Sequence, residues 1–173
     1  EMAILLSVIN IFNVIAQSGF SSYIIQKKDL SDESVSSVSI FSTLVASACI
    51  LLLCGGGNFL MGLIGYPNLT RYLKVASIML LFNAINGICM GLLSREMQFK
   101  EMFIRTLIVL PLSAIVCFLL MYCGLELEAL IAYNIVNPLF TTLFLLNLLR
   151  KSEYKIRMKI KWKELKAALP YSL

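Results

Sequence analysis

The sequence predicts an all-α membrane protein, a polytopic bundle of about five transmembrane helices, on three observations. Five stretches free of Asp, Glu, Lys and Arg, at residues 2–26, 34–70, 75–94, 106–125 and 129–149, alternate with short charged clusters. Each offers the roughly 20 residues that a helix rising ~1.5 Å per residue needs to cross a ~30 Å hydrocarbon core. Hydrophobic residues make up 59% of the 173 positions and charged ones 14%, where an ordinary soluble domain carries about 25% charged. Membrane lipid is therefore the partner the chain cannot avoid, and a single soluble domain, the usual reading of this length, gives way.

The first span is placed at 2–26. No basic segment precedes a short apolar core and a small-residue cleavage site, so it reads as a span rather than a signal peptide. The second stretch holds 37 residues and contains Gly55, Gly56 and Gly57 in a row. Two spans and a turn would need ~38 residues at the lower limit of span length, so one crossing is expected, near 40–64. The remaining spans are 75–94, 106–125 and 129–149, completing a bundle over residues 1–149.

Residues 150–166 then form a basic linker on the cytoplasmic membrane surface. Within it, 155–163 alternates polar and apolar residues with period two, which predicts an extended strand with Ile156, Met158, Ile160 and Trp162 toward the apolar boundary. A helix is expected to begin near Trp162 and lead to Pro170, and 167–173 reads as the start of a next span. Both ends look cut from a longer protein.

Charge sets the orientation. Five crossings put 27–33, 95–105 and 150–166 on one side, with two, three and eight basic residues, while 71–74 and 126–128 on the other carry only Arg71 and Lys74. Lys and Arg of short loops stay in the cytoplasm, so the first set is cytoplasmic. The same cations would suit a nucleic-acid binder. They are dispersed over juxtamembrane loops, however, where each gains about 1 kcal/mol from anionic headgroups, and nucleic acid is not an expected partner.

Polar residues inside the spans carry the functional signal, because an unpaired amide in hydrocarbon costs several kcal/mol. Asn10, Asn13 and Gln17 recur at three and four residues; Asn83 and Asn86 are three apart, as are Asn134 and Asn137. Each set shares a helical face. Converging faces would form an uncharged polar groove able to take sugars or wet headgroups; the competing reading is interhelical glue at about 0.6–2 kcal/mol per bond. Pro111 and Pro138 should kink their helices, either beside a transport path or as ordinary packing. Gly87 and Gly91 form a small-xxx-small pair that predicts close helix contact.

Catalytic machinery is not visible. With no histidine, neither Ser-His nor Cys-His pairs nor the usual zinc or haem ligand sets can form, and Cys49, Cys54, Cys89, Cys117 and Cys123 read as small buried hydrophobes. There is no Gly-rich phosphate loop, and no span holds an Asp or Glu suited to a proton relay. No metal, cofactor or enzymatic activity is expected. Arg95, Lys100 and Arg105 remain: three cations where a diphosphate headgroup would enter from the cytoplasmic leaflet, or plain topology signals.

Two segments resemble a known family. Gly19 to Leu30, reading GFSSYIIQKKDL, is similar to the end of the second span and the following loop of bacterial oligosaccharide flippases. Leu92 to Lys100, reading LLSREMQFK, looks like the L-x-R-x-x-x-F loop between the fourth and fifth spans of the polysaccharide-export branch of the multidrug/oligosaccharidyl-lipid/polysaccharide exporter superfamily. The chain departs from the family at Gly124 to Ile131, where Glu126 and Glu128 stand in place of a Gly-Trp-Ala-Leu-Val-like run.

The resemblance implies spans two to six of a longer transporter, one six-helix lobe facing a second across a central cavity, in a bacterial inner membrane. It also implies export of polyprenyl-diphosphate-linked repeat units for capsule, O-antigen or other lipopolysaccharide synthesis, alongside glycan polymerase or assembly partners. Asn10, Asn13, Gln17, Asn83, Asn86, Asn134 and Asn137 would then face the glycan, and Arg95, Lys100 and Arg105 the diphosphate. Alternatives are a multidrug exporter of the same superfamily, a non-transport membrane subunit and a membrane-embedded glycan enzyme.

Overall fold

The computed structural model describes residues 2–17, 23–25 and 32–149, and every regular element among them is helical. In chain order these are α1 (Met2–Gln17), α2 (Asp32–Ile64), a 3₁₀ turn (Pro67–Leu69), α3 (Thr70–Ala76), α4 (Met79–Arg95), α5 (Phe99–Tyr122) and α6 (Glu126–Leu149). The expected strand at 155–163, the linker at 150–166 and the opening of a further span at 167–173 lie outside the described residues, as does the loop at 27–31.

Four segments, Ser34–Ile64, Pro67–Arg95, Phe99–Tyr122 and Glu128–Leu148, are long and apolar enough to cross a membrane by length and composition; Met2–Gln17 is apolar but shorter. Large apolar side chains such as Leu51, Phe59, Phe103 and Phe118 are mostly exposed along them. In water a surface of that kind would cost roughly 25 cal/mol per Å², so its solvent is lipid. The chain is an all-α polytopic membrane protein.

Two apolar clusters hold the bundle. Leu5 and Ile9 of α1 meet Cys49, Leu53 and Met61 of α2, Leu73 of α3 and Ile131 of α6 in one; Tyr23, Ile24, Val35, Val38, Ile88, Leu92 and Leu145 form the other. Between α1, α2 and α4 the contact is made by Ala16, Ala46 and Ala84, whose short side chains let the backbones approach. Ser42 Oγ reinforces it by donating to the Ala16 carbonyl at 3.3 Å.

Three departures from the expected spans have a local physical cause. Helix α2 begins at Asp32 rather than near 40, because Val35 and Val38 are buried in the second cluster and Ser34, Ser36 and Ser37 are buried beside them. Tertiary contact overrides the low hydropathy of a serine-rich start. The third span is interrupted at Ser77 and Ile78. There the Ser77 hydroxyl bonds the Lys74 carbonyl at 2.7 Å, and Ile78, Leu80 and Leu81 donate to the third residue before them. The helix tightens locally to 3₁₀ geometry.

Helix α5 starts at Phe99 rather than 106, so Lys100 and Arg105 sit on its first turns. Only Glu96 to Gln98 separate it from α4. Met97 adopts φ 53°, its N–H bonds the Ser94 carbonyl at 3.2 Å, and the Gln98 N–H reaches the Leu93 carbonyl at 3.0 Å. This is a Schellman cap with methionine where glycine is usual, and it turns the chain sharply enough to lay α5 back against the bundle.

The Gly55–Gly57 run stays helical, but its members differ. A Cβ at Gly57 would lie 3.3 Å from Leu73 Cδ2, whereas Gly55 and Gly56 have nothing within 4 Å. Gly55→Ala is therefore expected to stabilise the protein by up to about 1 kcal/mol through helix propensity. Gly57→Ala should gain little, because Leu73 must yield. Unfolding in detergent decides this, and equal gains at both positions would contradict the packing of α3 on α2.

Candidate substrate cavity

One face of α4 builds the wall of a cavity of about 360 Å³: Asn83, Asn86, Gly87, Met90, Gly91 and Ser94 line it, joined by Gln17 from the end of α1 and by Ile25. The spacing of three and four residues stacks these positions along one side of the helix. Of the expected small-xxx-small pair, Gly87 lies within van der Waals reach of α1 and Gly91 is buried, and both line the cavity. The nearest atom to a Cβ built on Gly87 is Gln17 Cγ at 3.9 Å, so the absence of a side chain there thins the wall of α4 where α1 ends.

Asn86 holds the cavity to α6. It is buried, its Nδ2 donates to the Pro138 carbonyl at 3.0 Å, and its Oδ1 accepts from Thr142 Oγ1 at 2.9 Å. Thr142 Oγ1 also lies 2.8 Å from the Pro138 carbonyl, and its single proton can serve one acceptor at a time. A primary amide has two donors and about two acceptor sites. One N–H and one lone pair of Asn86 therefore remain for a ligand, and the residue serves as interhelical glue and as cavity wall together.

The other expected polar positions are placed differently. Gln17 Nε2 donates to Asn13 Oδ1 at 3.1 Å along α1, with Gln17 on the cavity, Asn13 beside it and Asn10 exposed. Asn134 Nδ2 turns back to the Leu130 carbonyl of its own helix at 2.8 Å, and Asn137 is half-buried on α6. The structure thus brings Gln17, Asn83 and Asn86 together, and Asn10, Asn13, Asn134 and Asn137 are not among the lining residues. Pro111 and Pro138 both lie inside continuous helices.

The cations flank this site unequally. Arg95 is half-buried and its Nη1 donates to the Ile24 carbonyl at 3.0 Å, fixing the backbone next to Ile25 of the cavity. Lys100 is exposed. Arg105 reaches inward from α5: Nη1 lies 3.2 Å from Met90 Sδ, Nη2 is 3.0 Å from Thr106 Oγ1, and Nε is buried without a hydrogen-bond partner. Thioether sulfur is a weak acceptor, so a guanidinium stands against a cavity-lining side chain with its charge poorly compensated.

Met90, Ser94 and Ile25 were not expected at a site. Continuing the Asn83 and Asn86 spacing by three or four leads to Met90 and Ser94, so two of them carried a periodic signal; Ile25 carried none.

The chain matches, over residues 1–173, the family model described as polysaccharide biosynthesis protein. No curated protein and no solved structure was found to match it. With apolar helices of membrane-spanning length around a polar cavity, and a match that runs its whole length, the chain belongs to the polysaccharide biosynthesis protein family, and its role lies in making or exporting polysaccharide.

Proposed function

We propose that the protein moves polyprenyl-diphosphate-linked oligosaccharide repeat units across the membrane by alternating access, the cavity on α4 being part of the path. The observation that carries this reading is the composition of that cavity: amide, hydroxyl and glycine positions inside an apolar bundle, with Arg105 touching one wall through Met90. Neutral hydrogen-bonding groups suit sugar hydroxyls, and guanidinium suits a diphosphate. A multidrug exporter of amphipathic cations would be served by acids in the wall, and the described residues lining this cavity include none.

Transport is expected to require the empty volume. In the full-length protein reconstituted in vesicles, Gly87→Leu puts an isobutyl group into the space beside Gln17 and should lower flipping of lipid-linked oligosaccharide by about tenfold or more, the scale of a few kcal/mol of overpacking. Phe118→Leu, on the exposed face of α5, serves as the folded control and should transport normally. Undiminished transport by a folded Gly87→Leu protein would remove the cavity from the path.

A further inference from the structure

A second cavity, of about 310 Å³, lies at the end of the Pro67–Arg95 segment opposite to Arg95. Its rim carries Arg71, Tyr72 and Glu128, and its wall continues through Val75, Ile131 and Ile135. Glu128 is exposed and accepts a hydrogen bond from the Tyr72 hydroxyl at 2.9 Å, so a phenol rather than the Arg71 guanidinium orients the carboxylate. Arg71 is exposed on the same rim. A carboxylate accepts at about four sites; the Tyr72 hydroxyl and a backbone N–H take two, leaving an anion with open sites on the same rim as the Arg71 guanidinium.

The apolar side of the cavity has a direction. Ile131 and Ile135 follow Glu128 by three and seven residues on α6, so they lie about one and two turns, roughly 5 and 10 Å, along the helix from the charged rim. Val75 stands one turn along α3 from Arg71. Charge at the mouth and branched aliphatic side chains below it match an amphiphile whose head group bears both signs and whose chain runs into the bilayer.

We propose that this cavity binds the head group of a zwitterionic phospholipid with a primary ammonium, of the phosphatidylethanolamine class, in the leaflet opposite to Arg95, Lys100 and Arg105. The phosphate meets Arg71, and the ammonium, with three N–H donors, meets Glu128. Choline lipids present a cation without N–H groups, and phosphatidylglycerol offers Glu128 only neutral hydroxyls. The site is separate from the α4 cavity and does not depend on the transport reading.

The test is native mass spectrometry of the full-length protein released from nanodiscs holding equal parts of phosphatidylethanolamine, phosphatidylcholine and phosphatidylglycerol. Bound ethanolamine lipid is expected to exceed each of the others about threefold, the scale of an exposed ion pair. In the wild-type protein, N-methyl, N,N-dimethyl and trimethyl head groups should lose that excess stepwise, a series that needs no variant to fold. Glu128→Gln should bring ethanolamine lipid down to the choline level, and Arg71→Gln should lower both together. Equal retention of the three lipids, an excess of phosphatidylglycerol, indifference to N-methylation, or an unchanged preference in a folded Glu128→Gln protein would each overturn the proposal.

Discussion

Asn86→Ala is expected to destabilise the protein by about 1–3 kcal/mol, read as a loss of unfolding free energy in detergent, because it removes two interhelical bonds that average ~0.6 and reach ~1.7 kcal/mol each in membranes. The donor to the Pro138 carbonyl and the acceptor facing Thr142 disappear together. Asn86→Asp is nearly isosteric, but ionised it has no donor and sets an anionic oxygen against the Pro138 carbonyl, and neutral it keeps a single O–H in place of two N–H groups. It should cost at least as much as alanine at neutral pH. Thr142→Val removes the hydroxyl from the same triad. In a double-mutant cycle it should couple to Asn86→Ala by about 0.5–1.5 kcal/mol. Additive effects would mean that the α4 to α6 contact rests on apolar packing alone, as between Ile88 and Leu145 in the cluster alongside.

That triad also marks where the sequence could and could not be read. The existence of apolar helices was legible, because a run of 20 uncharged residues is a one-dimensional property. Their ends were not. Charged and serine-rich residues halt a hydropathy reading without halting a helix, and so α2 reaches back to Asp32 and α5 to Phe99. The spacing of Asn83 and Asn86 pointed to a polar face, and both residues line the cavity. Asn134 and Asn137 have the same spacing, yet neither is among the residues lining it, and Asn134 turns one N–H to its own backbone. Equal spacing states which residues share a face and leaves open what that face meets; Asn86 and Thr142 are 56 residues apart. Gly87 illustrates the same limit, since its missing side chain both admits Gln17 of α1 and widens the cavity, and only what lies opposite decides that.

Arg105 shows the consequence for function, and replacing it should have the largest effect on transport. Read from charge runs it was a loop cation next to Arg95 and Lys100; on α5 it is a half-buried guanidinium inside a span, bonded to neutral sulfur and oxygen and with Nε unmatched. A cation in that setting is costly to keep, and intramembrane charges of this kind mark substrate paths. Arg105→Met fills comparable volume without charge. If the guanidinium binds the diphosphate, the loss of a charge-assisted bond at about 1.5–3 kcal/mol should raise the KM for lipid-linked oligosaccharide by roughly 10- to 150-fold. Arg105→Lys should recover only part of this, because a point charge cannot grip two phosphate oxygens in one plane. Stability should move the other way or not at all, since exchanging a poorly paired buried charge for an apolar side chain is often neutral or favourable. A variant with an unchanged melting temperature and collapsed transport therefore identifies a binding role. A variant that unfolds together with losing transport identifies a structural one, and normal transport by a folded Arg105→Met protein would leave the diphosphate to be held elsewhere.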